Sequence, residues 1–510
     1  MSDANADIFS SIPFGKWNWL YISIVCLQKA SAPAQYYSSI FVDMPIDFRC
    51  ISNETRQDNI TFDNSCPENK ESLHNCTTYE FDTSEVSSTF TSTFNLVCDK
   101  AWVASMYPMI LPIGSCFGSF FLGASDKWGR VTVIRISSTI HAVGALIVGL
   151  ARYEYLVIFG RFLVGFTYPI LSGSAIPLSI ETTPVKDRST ITFLLFIPFY
   201  VFVMLLGIMA YFIREWRMLY LVTSIPMFII PIIALFLDKS PRWLIQQGRV
   251  DEAYIVMQKA AKMNNGTFDF DLSSIEKESS SQSNEQNFNA NFVNSSIESV
   301  KTLIKQLYGT ISMLKLSFII PILWFLSAIV YIGVPLNANS FTDNPYLYMV
   351  MIGAAEFPSA FLGPLIINKF GNIKTGISLF LITSGCMLGT LLVTENFWWM
   401  KWIFAMLSMT CSGALIIICN LLISELFPTV LRSTGCGISY SAYYVGFFLS
   451  SFINSTIVSE VWWAFNTMCG ICCVIASILI SLLPETHGQK LCETTNEVDN
   501  KEYRYQKVKI

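Results

Sequence analysis

Long apolar blocks separated by short polar connections make up most of this chain. About twelve blocks of roughly 20 apolar residues are visible, which is the length that a helix needs to cross about 30 Å of hydrocarbon. Backbone amides in lipid must find partners within the protein, so continuous helices are expected rather than the alternating strands of a barrel. The pattern predicts an all-α membrane protein with twelve transmembrane helices, near residues 17–41, 101–123, 131–150, 155–180, 190–213, 216–238, 316–336, 346–367, 375–394, 398–422, 434–457 and 461–483.

Composition excludes several other classes of protein. Of 510 residues, 52% are hydrophobic and 14% are charged, which is too apolar for an ordinary soluble domain. The first fifteen residues are polar and the first apolar block is too long for a signal peptide, so we expect the first helix to be retained. A net charge of −4 without a basic tract argues against a nucleic-acid partner.

The placement of lysine and arginine predicts the orientation. The loops after blocks 2, 4, 8 and 10 hold eight basic residues, whereas those after blocks 3, 5, 7, 9 and 11 hold four. The first group is Lys127, Arg130, Arg135, Lys186, Arg188, Lys369, Lys374 and Arg432, and the second is Arg152, Arg214, Arg217 and Lys401. Basic loops stay on the cytoplasmic side and an even number of spans returns the chain to its starting side, so both termini are expected in the cytoplasm.

This orientation divides the chain into five parts. They are a cytoplasmic amino terminus (1–16), a six-helix half (17–238) with an extracellular loop at 42–100, a cytoplasmic loop (239–315), a second six-helix half (316–483) and a cytoplasmic tail (484–510). Within the cytoplasmic loop, the helical spacing of apolar positions over 242–263 predicts a surface helix. Residues 264–298 are rich in Ser, Asn and Glu, which predicts disorder.

The extracellular loop has the composition of a segment exposed to an oxidising compartment. It carries four cysteines, Cys50, Cys66, Cys76 and Cys98, which predict two disulfides in one of three pairings. Three glycosylation sequons, at Asn53, Asn59 and Asn75, lie in the same segment.

An internal repeat relates the two halves of the chain. The sequence ETTPVKDRST, from Glu181, recurs as ELFPTVLRST from Glu425, an offset of 244 positions. The same offset, within two positions, relates KWG at 127–129 to KFG at 369–371, and Pro241 to Pro484. Six spans therefore repeat in the same orientation, an architecture of transporters that hold substrate near the membrane midplane between the halves.

The repeated charges lie at the cytoplasmic ends of the predicted helices. Opposite charges there can pair with helix ends and with other loops, and so latch one half against the other. The predicted latch residues are Asp126, Lys127, Arg130, Glu181, Arg188, Glu425 and Arg432. Membrane anchoring by the positive-inside rule is the alternative, and it accounts for the basic residues but not for the repeated acids.

Several motifs resemble the organic ion transporter family of the major facilitator superfamily, which carries cations, anions and zwitterions. They are FNLVCDKAW (94–102), SPRWLIQQGR (240–249), AAKMN (260–264), ELFPTVLRSTG (425–435) and PETHG (484–488). The resemblance covers nearly the whole chain and implies a plasma-membrane transporter. Lys127, Val131 and Leu122 depart from the family's usual loop pattern, and the first extracellular loop is short. Sugar porters share the proline motifs, but the seventh block lacks the glutamines that bind sugar hydroxyls.

Charged residues inside apolar blocks are candidates for function because burying them costs several kcal/mol. Three stand out: Lys29 in helix 1, Arg161 in helix 4 and Glu356 in helix 8. Glu356, in AEFPSAF, offers a counter-charge for an ammonium group. Ala360 stands where the family's anion carriers often place a lysine. We expect Lys29 and Glu356 to approach the cavity, either paired as a structural bridge or free to bind an amine and a carboxylate.

The resemblance gives helix 11 an aspartate or arginine at the position of Tyr444, where this chain has neither charge. Aromatic rings can hold cations by cation–π contacts of about 0.5–2 kcal/mol each. The candidate lining residues are Tyr36, Phe199, Tyr200, Tyr331, Tyr440, Tyr443 and Tyr444, and helix packing is the alternative role of each.

The sequence favours transport over catalysis. His74, His141 and His487 are scattered, and no metal-ligand spacing or phosphate loop is present, so neither a metal nor a cofactor is expected. We therefore predict a transporter of small organic ions that works by alternating access, most favourably for organic cations or amine-bearing zwitterions. An organic anion transporter of the same family and a non-transporting receptor on a transporter fold are the alternatives. The oligomeric state stays open.

Overall fold

The computed structural model describes the membrane helices and part of each connecting loop. The described residues are 13–44, 46–51, 62, 64, 66, 78–84, 86–184, 191, 194–266, 307–336, 344–393, 397–428, 431–456 and 463–486. Asn53, Asn59, Asn75, Cys76 and Arg188 lie outside them, as do most of the segment predicted to be disordered and the side chains of Asp126 and Arg432.

Each of the twelve predicted blocks is helical. We label these helices α1 (Lys16–Tyr37), α2 (Ala101–Ser119), α3 (Arg130–Leu150), α4 (Glu154–Glu181), α5 (Ile197–Phe212), α6 (Trp216–Thr223 with Ile225–Leu235), α7 (Ile311–Leu336), α8 (Pro345–Glu356 with Ser359–Phe370), α9 (Asn372–Leu392), α10 (Trp398–Leu426), α11 (Arg432–Thr456) and α12 (Ala464–Ser481).

Length and hydropathy alone recognise ten of these helices as able to cross a membrane, among the residues that the structure describes. The shorter α5 is apolar throughout. The remaining helix, α1, carries Gln28, Lys29 and Gln35, and most of its polar face is buried in the bundle. A polar helix can occupy this place because neighbouring helices, rather than lipid, surround it.

Shorter elements lie in the connections. Two strands, β1 (Phe48–Ile51) and β2 (Thr78–Phe81), form an antiparallel hairpin in which Phe48 faces Phe81. This hairpin was not predicted, because four-residue strands carry too little alternation to be recognised. Short helices span Ser39–Val42, Phe90–Phe94, Ala124–Trp128 and Pro241–Gln246, and Cys98–Lys100 is a 3-10 turn. The predicted surface helix is present as Val250–Met263.

We name the two ends of the bundle by the segments found there. The loop face is the end that carries the 42–100 loop, and the terminal face is the end where α1 begins and α12 ends. The helices α1–α6 pack mainly against one another, as do α7–α12. The halves meet where α2 packs against α11, α5 against α8, and α1 against α7.

Glycines bring α5 and α8 close together at this junction. A Cβ atom on Gly207 would lie 2.6 Å from the carbonyl oxygen of Tyr346, and one on Gly353 would lie 2.7 Å from Met204. Real Cβ contacts are longer, so larger residues would force the helices apart. The close approach places the middle of α8, which carries Glu356, against α5.

Candidate functional site

Glu356 ends the first segment of α8 and is fully buried, at 0% exposure. Four tyrosine hydroxyl groups lie close enough to its carboxyl group to interact with it electrostatically: those of Tyr37, Tyr200, Tyr331 and Tyr443. Tyr331 faces it most directly, yet within the described part of the chain neither carboxylate oxygen has a partner with hydrogen-bond geometry. The four tyrosines belong to α1, α5, α7 and α11, so both halves surround this acid.

Lys29 lies elsewhere in the interior. Its Nζ atom is 5.2 Å from the centre of the Phe196 ring, just before α5. Among the residues that the structure describes, no ion pair joins Lys29 to Glu356. The paired arrangement is therefore not the one that the described residues show in this conformation.

The predicted aromatic residues are buried, apart from the partly buried Tyr440, and most of them contact other aromatic rings. The ring centres of Tyr36 and Tyr168 are 5.3 Å apart, and those of Tyr36 and Phe447 are 5.5 Å apart. Tyr443 and Tyr444 form a T-shaped pair at 5.4 Å, and Phe199 and Tyr200 form another at 5.7 Å. Of these contacts, the one between Tyr36 of α1 and Phe447 of α11 crosses from one half to the other.

Four further aromatic residues join this shell without having been predicted as its members: Tyr37, Tyr168, Trp324 and Phe447. Trp324 contacts Tyr440 at 5.1 Å and Tyr443 at 5.5 Å, and its indole N–H is buried without a partner. It precedes Tyr331 by seven residues, so the two lie on one face of α7. That spacing was the signal in the sequence that could have identified Trp324.

Arg161 holds the first half together. Its Nη2 donates to the carbonyl oxygen of Gln35 at 3.0 Å, and its guanidinium lies 4.3 Å from the centre of the Tyr107 ring. Tyr220 donates its hydroxyl to the Gln35 side chain at 3.1 Å. All of these residues belong to α1, α2, α4 and α6, which favours the structural role that the sequence left open.

The repeated charges lie together on the terminal face. In the first half, Arg130 at the start of α3 pairs with Glu181 at the end of α4 at 2.5 Å. Ser240 donates to the same carboxylate at 3.1 Å. In the second half, the Asn372 side chain donates to Glu425 at 2.8 Å. These described contacts join elements of the same half.

One predicted disulfide is present in the loop. Cys66 is bonded to Cys98, and Cys50 is also disulfide-bonded. Cys76, the fourth cysteine, lies outside the described residues, as do the three sequon asparagines.

Comparison with known proteins decides the family. A family model described as "Sugar (and other) transporter" matches residues 59–497. The chain belongs to this family. An organic cation transporter-like protein of Drosophila melanogaster is 24% identical over 94% of this chain and 90% of its own length. Solute carrier family 22 member 1 of Bos taurus is 28% identical over 81% of this chain and 71% of its own length, and member 6 of Rattus norvegicus is 26% identical over 82% and 75%.

Solved structures show the same fold. The proton:xylose symporter XylE from the major facilitator superfamily matches with a TM-score of 0.63 at 14% identity, over 94% of this chain and 99% of its own. The prediction of a major facilitator fold with twelve helices is confirmed, as is the resemblance to organic ion transporters. This transporter is a multi-pass membrane protein with a small-molecule substrate, and its family is one of transporters rather than enzymes.

Proposed function

We propose that this transporter carries small organic cations across the plasma membrane by alternating access, with Glu356 as their counter-charge. The observation that carries the proposal is a fully buried carboxyl group at the junction of the halves that forms no ion pair with the residues that the structure describes. Burying an unpaired carboxylate costs free energy, so such a group is a candidate for a functional role. An arriving ammonium group would supply the missing partner.

The surroundings of Glu356 suit a cation better than an anion. Aromatic rings attract cations over their faces, and tyrosine hydroxyls can turn their oxygen atoms toward a positive charge. Rings from both halves form this shell, so a cation held there would contact both halves at once. That is the position from which a substrate can bias the exchange between conformations.

Lys29 extends the proposal to zwitterions. It makes no ion pair with Glu356 among the described residues, so it could contact a substrate's carboxylate while Glu356 binds the amine. Simple organic anions would be repelled by Glu356.

Uptake by cells expressing the full chain tests the proposal. Labelled cations, anions and zwitterions are offered to the wild type and to Glu356→Gln, which keeps the shape and removes the charge. We expect cation uptake by the wild type and its loss, by tenfold or more, in the variant. Glu252→Gln on the exposed surface helix is the matched control and should transport normally. Normal cation uptake by Glu356→Gln at equal surface level contradicts the assignment.

We also propose an orientation of the chain in the membrane. Both termini and the terminal face would lie in the cytoplasm, and the 42–100 loop outside the cell, as the basic residues indicate. Mass spectrometry after enzymatic deglycosylation should find glycans on Asn53, Asn59 and Asn75. A glycan on Asn265, which is also in a sequon but follows the surface helix, would reverse the orientation.

A further inference from the structure

Three aromatic residues close the loop face between the halves, and we call them the gate: Phe41, Tyr211 and Tyr346. Phe41, just beyond α1, stacks on Tyr346 at the start of α8, with ring centres 5.6 Å apart and planes 10° apart. Tyr211 of α5 contacts the edge of Tyr346 at 5.8 Å. The stack crosses from one half to the other, so these rings must separate before the loop face can open.

A second segment, residues 86–97, is bound across the same end of the first half, and we call it the strap. Its backbone pairs with the α5–α6 turn, where Ser87 donates to the carbonyl oxygen of Arg214 at 3.2 Å. Phe90 is fully buried against Tyr107 and Trp216. The indole N–H of Trp216 donates to Thr93 at 2.9 Å. The strap is therefore part of the first half.

One side chain connects the strap to the gate. Asp43 ends the short helix Ser39–Val42 and follows Phe41 by two residues. Its carboxylate accepts a hydrogen bond of 2.6 Å from the hydroxyl of Thr91 in the strap. Val86 of the strap also lines the small pocket that Phe41 and Tyr346 share.

We infer that the strap holds the gate closed, and that the hydrogen bond from Thr91 to Asp43 is the link that does so. The bond fixes the end of α1 and, with it, the position of the Phe41 ring against Tyr346. Opening the loop face then requires either breaking this bond or moving the strap. The inference concerns access to the transport path and is independent of the substrate's charge.

The surroundings of Asp43 make this link sensitive to pH. Burial raises the pKa of Asp43 to about 6, and the hydrogen bond from Thr91 offsets part of this increase. Among the described residues, Tyr107 of α2 interacts with Asp43, and its ring lies against Arg161 of α4. Arg214 lines the pocket beside Phe41 and Met44. Below about pH 6 the carboxyl becomes neutral, and a hydrogen bond to a neutral acceptor is weaker than one to a carboxylate. The gate should therefore loosen as the pH falls through this range.

Crosslinking across the gate measures its closure. Cysteines replace Phe41 and Tyr346 together in the full-length protein, and mild oxidation then forms a disulfide only while the gate is closed. We expect rapid crosslinking in this background, and a rate about tenfold lower when Thr91→Val is added. Thr91→Ser restores the hydroxyl and should restore the rate. Asp43→Ala should match Thr91→Val, and the double variant should be no slower than either single variant.

Thr139→Val is the matched control, because it removes a hydroxyl hydrogen bond to the carbonyl oxygen of Arg135 within α3, away from the strap and the gate. It should leave crosslinking unchanged. Equal slowing by Thr139→Val and Thr91→Val, or no slowing by Thr91→Val and Asp43→Ala, overturns the inference. Asp43→Asn keeps the shape of the side chain but does not titrate. The crosslinking rate with Asp43, divided by the rate with Asp43→Asn, should be lower at pH 5 than at pH 7.5. An equal ratio at both pH values contradicts the proposed link.

Discussion

On the terminal face, the two halves stabilise the starts of two equivalent helices, α3 and α9, with different side chains. At the start of α3 and α9 the backbone is equivalent, since Gly129 and Gly371 both have φ of +85°. In the first half, the charge of Arg130 meets Glu181. In the second half, Asn372 meets Glu425, and Glu485 accepts hydrogen bonds from the first two backbone amides of α9.

The two halves keep the acid and the backbone geometry but differ in one partner of that acid, which is Arg130 at the start of α3 and Asn372 at the start of α9. The pair in the first half is partly exposed, with 18% and 22% exposure of the two side chains. Asn372 is buried, at 1% exposure, and donates to both Glu425 and Thr486. An amide suits the buried position because it supplies donors without a charge to desolvate. Changes to the second half should therefore cost more than changes to the first.

The largest effect is expected from Asn372→Asp. This change keeps the shape of the side chain but places a carboxylate against Glu425 and Glu485, where two acids already accept hydrogen bonds. We expect a loss of roughly 3 kcal/mol or more in stability, measured by thermal unfolding of the purified protein. Asn372→Ala removes the donors without adding a charge and should cost less. If both variants melt alike, the acids do not act as charged groups on this position.

A smaller effect is expected from Glu485→Gln. The amide keeps one acceptor oxygen, but the negative charge at the start of α9 is lost, at a cost of about 1–2 kcal/mol. Hydrogen exchange followed by mass spectrometry should show faster exchange in the peptide that contains Asn372 and Ile373. The equivalent peptide at the start of α3 is the internal control. Faster exchange in both peptides would mean a general loosening rather than a lost cap.

The smallest effect is expected from Arg130→Asn, which gives the first half the chemistry of the second. A partly exposed ion pair contributes about 1 kcal/mol or less, and salt screens it. The variant should lose little stability at low ionic strength, and the loss should be smaller still at high ionic strength. A large loss that does not depend on salt would show that Arg130 acts in another way.

The sequence predicted the helices well because lipid imposes one physical requirement on every span. Even α1, too polar for a search by hydropathy, was found as a block. The β1–β2 hairpin was missed, since its few residues carry no periodic signal. The repeat identified Glu181 and Glu425, but not that Asn372 would contact Glu425, because contacts between loops depend on the folded arrangement.

The sequence predicted most residues of the site but not how they are arranged. Glu356 and the tyrosines could be picked out because a charge in an apolar block is rare and aromatic residues are easily seen. Whether Lys29 and Glu356 pair could not be predicted, because the sequence does not determine how side chains of two helices in different halves are oriented toward each other. Trp324 was missed although its helical spacing from Tyr331 was visible. The roles of these residues in transport stay predictions.

Binding of a labelled quaternary ammonium ion to the purified protein tests the central claim most directly, since it requires neither turnover nor orientation. The wild type and Glu356→Asp, which keeps the charge, are compared with Glu356→Gln. We predict saturable binding by the wild type and an affinity at least tenfold lower in Glu356→Gln, or about 1.4 kcal/mol, with Glu356→Asp between them. Equal affinity in all three proteins would contradict the assignment of Glu356 as the cation's counter-charge.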